Sequence, residues 1–252
     1  MARWFEAFFD GLYGRVLAEQ FDETRTLQQA LLVKRLLRLR KGQHVLDIPC
    51  GLGRLTIPLA HRGLVMTGVD LTRGFIQKAR RAAGRKRLDI RFVCSDMRDI
   101  AFDREFDAAF NWFTSIGYFS DEEEVRFCRA VLHALKPGRR FLIETINRSW
   151  AEAHFQRRPR EDVIGGVRVK QTYRGHTGDG RVDMLWTLSR GRTRERNLLS
   201  VRHYNGAEIR ALMAGAGFRD IRLFGHPPVG RLTRHSRRLI AIGTRPKEEQ
   251  ST

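Results

Sequence analysis

The stretch of this sequence richest in chemistry is Val45-Leu46-Asp47-Ile48-Pro49-Cys50-Gly51-Leu52-Gly53-Arg54, where a buried-strand pattern runs into a Gly-x-Gly turn. Glycine suits such a turn because a bulky Cβ would keep a ligand away from the backbone N–H groups at the mouth of the next helix. A nicotinamide fingerprint would place a third glycine at position 56, which is Thr56, so a dehydrogenase is disfavoured. No Gly-Lys-Ser/Thr follows, which excludes a Walker phosphate loop. Asp47 stands four residues before Gly51, placed to orient the turn or to meet an ammonium group. Asp70 closes a second apolar run, seventeen residues past Gly53, where an acid can take both hydroxyls of a ribose. Ser95-Asp96-Met97 closes a third, offering a carboxylate to an exocyclic adenine amine and an apolar side chain to the ring. One such acid alone usually caps a helix. Three at successive strand ends point to an adenosine-containing ligand.

The elements that must hold these residues follow from periodicity. Trp4, Phe5, Phe8, Phe9 and Leu12 mark a first helix, and a second runs from about Thr24 to Arg38. After Lys41-Gly42-Gln43, strands at Val45–Ile48, Leu64–Val69, Ile90–Cys94, Phe106–Phe113 and Arg140–Ile146 alternate with helices at Arg54–His61, Arg73–Ala83 and Glu122–Leu135. Strict alternation of this kind builds a parallel sheet covered on both faces. The rhythm changes after Asn147. Val167–Tyr173, Val182–Leu188 and Asn197–Tyr204, separated by Gly178-Asp179-Gly180 and Arg190-Gly191-Arg192, read as antiparallel hairpins. The α/β pattern resumes with Ala207–Ala216, Asp220–Phe224 and Leu239–Gly243, and Lys247–Thr252 reads as a frayed tail.

With these motifs in order, the chain resembles the class I S-adenosylmethionine-dependent methyltransferases, closely over about Val45–Glu144 and more loosely over Asn205–Gly243. Phe106-Asp107-Ala108-Ala109-Phe110-Asn111-Trp112-Phe113 looks like the fourth-strand motif of that family, and Leu135-Lys136-Pro137-Gly138-Arg139-Arg140-Phe141 like the turn into its fifth strand. Ala216-Gly217-Phe218 looks like its last helix-to-strand turn. The resemblance implies a Rossmann-like α/β fold, a mostly parallel seven-stranded sheet with helices on both faces and an inserted antiparallel β element. It implies N-terminal helices covering the active site over 1–40, a cofactor-binding core over 41–150 and 205–246, and an insert over 151–204 that caps a substrate pocket. The cofactor implied is S-adenosylmethionine. Its candidate contacts are Tyr13, Asp47, Pro49, Cys50, Gly51, Gly53, Asp70, Leu71, Ser95, Asp96, Met97, Asn111, Trp112 and Phe113.

Methyl transfer from a sulfonium is an in-line displacement, so alignment supplies most of the catalysis and no metal is called for. Aromatic faces such as Trp112, Phe113, Tyr118 and Tyr13 suit the sulfonium charge. The catalytic candidates are Tyr118, as an aromatic face, and His176 and His203, which with His154 belong to the insert region and could take a proton from the acceptor. The slot after the fourth strand, Asn111-Trp112-Phe113-Thr114, lacks the two prolines of base-flipping amino methylases, which favours a small-molecule nitrogen or oxygen acceptor. The formal charge is +19, carried by 40 Arg and 7 Lys, so an acidic substrate fits and RNA methylation is the rival reading. A third reading is a non-catalytic module that binds the cofactor. Three dispersed cysteines form no disulfide framework or zinc pattern, and no apolar run approaches the ~18 residues of a membrane span. The start is interrupted by Glu6 and Asp10, unlike a signal peptide, and a cytoplasmic protein is expected.

Overall fold

The computed structural model describes residues 4–154, 159–227 and 229–247; the side chain of His176 also lies outside the described set. Three short helices open the chain: α1 (Trp4–Asp10), α2 (Tyr13–Glu19) and α3 (Glu23–Leu37). The continuous N-terminal periodicity predicts one helix where the structure has two, because the chain turns at Gly11-Leu12. The Leu12 N–H then donates to both carboxylate oxygens of Glu195, at 3.1 and 2.9 Å.

The core follows as β1 (His44–Asp47), α4 (Thr56–Ala60), β2 (Val65–Asp70), α5 (Arg73–Arg85), β3 (Arg91–Cys94), β4 (Phe106–Asn111), α6 (Asp121–Ala134) and β5 (Leu135–Ile146). A short helix, α7 (Arg148–His154), precedes the antiparallel strands β6 (Arg160–Ile164), β7 (Val167–His176), β8 (Arg181–Arg190) and β9 (Thr193–Arg202). The chain closes with α8 (Gly206–Gly215), β10 (Arg219–His226), the two-residue β11 (Gly230–Arg231) and β12 (Arg238–Thr244). The sheet order is β11-β10-β12-β5-β4-β1-β2-β3. β1 to β5 run parallel and β12 inserts antiparallel between β5 and β10. This is the expected seven-stranded sheet with a two-residue strand added at one edge.

Both faces of the sheet are covered, so β1 and β4 read as near-continuous apolar runs. Phe127, Val131, Ile209 and Met213 of α6 and α8 pack on one face with Phe141 and Ala109. Val33, Leu37 and Leu59 of α3 and α4 pack on the other with Val45 and Phe110. The four-stranded insert is a separate sheet in the order β6-β7-β8-β9. Its inner face, with Val167, Val169, Leu188 and Leu199, closes over Phe8, Tyr13 and Val16 of α1 and α2. Phe5 packs instead with the core cluster, so α1 bridges the core and the insert. The Gly165-Gly166 turn adds β6, a strand that the patterning of Val163–Tyr204 does not separate from β7; both glycines have positive φ, at 56° and 71°.

The loop between β4 and α6 is fastened to the insert at Gly117. Its N–H donates to Glu124 Oε1 at 2.7 Å, and its carbonyl accepts from Arg202 N at 2.8 Å. Its φ is +99°, and a Cβ there would stand 2.0 Å from the Arg202 carbonyl oxygen. Gly117→Ala therefore combines left-handed strain with a backbone clash. It should lower unfolding stability by roughly 2–4 kcal/mol in urea titration, against less than about 0.5 kcal/mol for Gly84→Ala on α5.

Candidate active site

The carboxyl ends of β1, β2 and β4 open into one cleft of about 1570 Å³, roofed by α1–α3 on one side and by the insert on the other. Ligand pockets for one small molecule usually occupy ~300–1,000 Å³, so this cleft has room for two. One half is built by the glycine turn. Gly51 has φ +55°, and a Cβ there would meet only Leu17 Cδ2, at 3.9 Å, so its backbone is open to the cleft. Gly53 has φ +76° but faces the other way, where a Cβ would press on Ala79, Ile57 and Phe92 at 3.3 Å. Gly53 thus lets the turn pack closely against α5 and β3, and it is absent from the lining of the cleft.

Asp47 lines the cleft and accepts from Thr56 Oγ1 at 2.6 Å. Thr56, at the place of the missing third glycine, is the hydroxyl that fixes this carboxylate. Burial pushes the Asp47 carboxyl up to about 7, against the Thr56 hydrogen bond and the Arg54 charge. Asp70 accepts from Gly51 N and Thr72 N, both at 2.8 Å, and so joins the end of β2 to the glycine turn. Burial raises its pKa as well. Ser95, Asp96 and Met97 line the same half. The Asp96 carboxylate is already gripped by Arg98, with Nη2–Oδ2 at 2.6 Å and Nε–Oδ1 at 3.0 Å. Pro49, Cys50, Leu71, Trp112 and Phe113 all line the cleft. Asn111 does not. It is fully buried and its Nδ2 donates to the Ile48 carbonyl at 2.9 Å, so it ties β4 to β1 and leaves the cleft to its neighbour Trp112.

An aromatic wall closes this half. Tyr118 sits 5.0 Å from Trp4 and 6.1 Å from both Phe5 and Phe9, measured between ring centroids. Tyr13 stacks on Phe8 at 4.2 Å and meets Trp186 edge-on at 5.5 Å. Burial pushes the Tyr13 phenol up to about 12 and the Tyr118 phenol far above its ordinary range. Tyr118 is therefore a neutral hydroxyl and an aromatic face.

The other half was largely unread in the sequence. Glu144, two residues before the end of β5, accepts from Phe113 N at 2.9 Å and pairs with Arg238 of β12, whose Nη2 lies 2.6 Å from Oε2. The one signal was an acid inside the apolar run Phe141–Ile146, a place that tolerates a charge only with a partner. Phe113 and Thr114 both have left-handed φ, 69° and 60°, and Thr114 N donates to the Glu144 carbonyl. His203 is buried on the cleft wall after β9, and burial, helped by the Arg238 charge, pulls it down to about 4. It is a neutral imidazole at physiological pH. His226, at the end of β10, also lines the cleft, and its Nδ1 is buried without a hydrogen-bond partner. His176 ends β7, and its side chain lies outside the described residues.

Among known proteins, residues 45–138 match a family described as "Methyltransferase domain". A ubiquinone biosynthesis O-methyltransferase of Coxiella burnetii is 32% identical over 111 residues, 44% of this chain. The chain spans about half the length of such relatives, 46% in this case. In fold the likeness is wider. A S-adenosylmethionine-dependent methyltransferase from Clostridium acetobutylicum superposes with a TM-score of 0.76 at 16% identity, over 96% of this chain and 98% of that one. The sugar N-methyltransferase KedS8 from Streptoalloteichus superposes at 0.70 and 21% identity, over 94% of each chain. The whole chain thus has the class I methyltransferase fold, insert and N-terminal helices included.

The residues present fit S-adenosylmethionine, the cofactor of that family. The open backbone at Gly51 and the carboxylates of Asp47 and Asp70 meet one continuous cavity, and the aromatic wall stands beside them. Among the described residues no group of acidic, histidine or cysteine side chains could hold a metal, and no helix is long and apolar enough to cross a membrane. The Asp47 pKa carries a pH signature. An ammonium group bound at Asp47 requires the carboxylate, which the free protein protonates as pH falls through about 7. Calorimetric affinity for S-adenosylhomocysteine should therefore fall by up to about tenfold per pH unit below 7, and Asp47→Asn should weaken binding and flatten the profile.

Proposed function

We propose that this protein transfers the methyl group of S-adenosylmethionine, in line, to a nitrogen or oxygen of a small molecule held in the second half of the cleft. The observation that carries this reading is the continuity of the cleft: the half bearing Gly51, Asp47 and Asp70 runs without a break into the half bearing Glu144, Arg238, His203 and His226. The cofactor, when bound, supplies an electrophilic methyl on a sulfonium. The chain's own residues then align and shield. Asp47 takes the ammonium end, Asp70 the ribose hydroxyls, and Ser95–Met97 the adenine edge. Tyr118 and Trp112 line the path with aromatic faces that favour a cation. The N-terminal helices over 1–40 and the insert over 151–204 cap the pocket and exclude water.

A roofed cleft favours a small acceptor over a polymer, and two of the similar proteins are named as an O-methyltransferase and a sugar N-methyltransferase. At the rim, the Arg237 guanidinium lies 5.3 Å from the Trp150 ring centroid, which suits an acceptor carrying an acidic group. Neutral His203 can accept a proton from the acceptor without first losing one. Three free thiols, Cys50, Cys94 and Cys128, support a reducing compartment such as the cytoplasm.

The decisive test is transfer of labelled methyl from S-adenosylmethionine into a fractionated cell extract. Label in the small-molecule fraction is expected; label removed by ribonuclease would overturn the small-molecule reading in favour of RNA. Asp70→Ala should weaken S-adenosylhomocysteine binding at least about tenfold, because it removes the ribose acid and frees the Gly51 N–H it holds.

A further inference from the structure

Among the described residues, five acids line the whole cleft: Glu23, Asp47, Asp70, Asp96 and Glu144. Asp47, Asp70 and Asp96 stand in the cofactor half. Glu23 opens α3, whose Thr26 lies 3.4 Å from Arg54, beside the glycine turn. Only Glu144 belongs to the acceptor half, and both its oxygens are engaged. Arg238 Nε donates to Oε1, and Phe113 N and Arg238 Nη2 donate to Oε2 at 2.9 and 2.6 Å. Arg160 pairs with Asp162 at 2.8 Å, so the exposed Arg237 makes this half net positive. The acceptor half therefore offers no carboxylate to an incoming ammonium group.

An aliphatic amine suits such a site poorly. With a pKa near that of lysine, about one molecule in a thousand or fewer is free base at pH 7. The rest must shed a proton before attack, beside arginines and a sulfonium, with no carboxylate to take it. A hydroxyl arrives neutral. A phenolic one, with a pKa of about 10, is acidic enough to yield its proton to a neutral imidazole as the methyl moves. Trp112, Trp150, Tyr173 and Trp186 on the wall suit its ring as well.

Two histidines on this wall are held neutral by burial. His203 is 2% exposed, whereas His226 is half-buried. The His226 ring lies 6.4 Å from Trp112 between centroids, and its partner across the β10–β12 ladder is Arg238. Its Nδ1 is buried, so Nε2 is the nitrogen that the ring offers to the cleft.

We infer that the acceptor is an aromatic hydroxyl compound without an ammonium group, methylated on oxygen, and that His226 takes its proton. The oxygen bonds the methyl carbon as the carbon–sulfur bond breaks, and the sulfur keeps that electron pair. The hydroxyl proton passes to His226 Nε2 and on to solvent. This rests on the methyl-transfer reading and goes beyond it by choosing oxygen over nitrogen and by naming the group that takes the proton.

The test uses the full chain, methyl-labelled S-adenosylmethionine and a small-molecule cell extract split on a cation-exchange resin at pH 7. Label is expected in an aromatic product of the unretained pool, released by hot hydriodic acid as from a methyl ether and stable to mild alkali. Label in the retained pool, or label that hydriodic acid leaves in place, marks an amine acceptor and would overturn the assignment while methyl transfer stood. Label released by mild alkali, or in a product without aromatic absorbance, would overturn it too. No transfer to either pool would overturn the assignment and the methyl-transfer reading together. His226→Gln should slow transfer to the active fraction by about 100-fold, more than His203→Gln does, and change S-adenosylhomocysteine affinity by no more than about twofold. A wild-type rate in His226→Gln, or a larger loss in His203→Gln, would overturn the role of His226. The product chemistry is read on the wild-type chain, so it decides the acceptor class even if His226→Gln does not fold.

Discussion

Glu144 is a carboxylate near the carboxyl end of a strand, with almost no exposure, and two other elements, the turn after β4 and the strand β12, meet on it. Its side chain accepts from Phe113 at the exit of β4 and pairs with Arg238 on β12, while its carbonyl accepts from Thr114. Arg238 is the diagonal neighbour across the β5–β12 ladder, where Glu144 faces Ile240 and Arg238 faces Ile146. A buried charge is tolerated only if its partner and its remaining lone pairs are satisfied, and here they are. The consequence is local. Phe113 and Thr114 stand in left-handed backbone, about 1–2 kcal/mol unfavourable for each residue, and the two hydrogen bonds to Glu144 hold them there. That turn sets where Trp112 and Phe113 meet the cleft.

The roof depends on this floor. The loop that leaves Thr114 continues to Gly117, whose carbonyl fastens β9 of the insert. Further on, Arg181 of the insert donates to the Phe119 carbonyl at 2.7 Å. The insert in turn presses Val167, Val169, Leu188 and Leu199 on Phe8 and Tyr13, and Glu195 caps the start of α2. N-terminal helices, insert and strand ends therefore form one chain of contacts around the cleft. A change of acceptor can be accommodated in the roof without moving the glycine turn, since Asp47, Gly51 and Asp70 are held by Thr56 and by one another.

This division matches what could be read from the residues alone. The core was legible because its information is local: an apolar run, a Gly-x-Gly turn and an acid at each strand end are neighbours in sequence. Within those motifs the limits were also local. Asn111 and Trp112 are successive residues at a strand end and face opposite ways, while Gly51 and Gly53 lie in one left-handed turn whose path the composition does not fix, so neither motif says which member faces the cleft. The break at Gly11-Leu12 was hidden because Trp4, Phe5, Phe8, Phe9 and Leu12 keep helical spacing across it. Glu144–Arg238 was out of reach for a different reason. The partners are 94 residues apart, and only the closing strand brings them together.

The large positive charge takes on a different meaning in this light. Many arginines act as fixed donors to backbone carbonyls that secondary structure leaves open. Arg245 reaches the carbonyls of Leu132, His133 and Leu135 at the end of α6, Arg80 that of Phe92, and Arg148 that of Gly178. Others neutralise acids inside the fold, as Arg98 does for Asp96 and Arg238 for Glu144. A five-donor planar group suits this work better than lysine does, because one side chain can satisfy several acceptors at once. Arginine in such places adds net charge as a by-product of closing the backbone, so +19 is not in itself a measure of attraction to a polyanion.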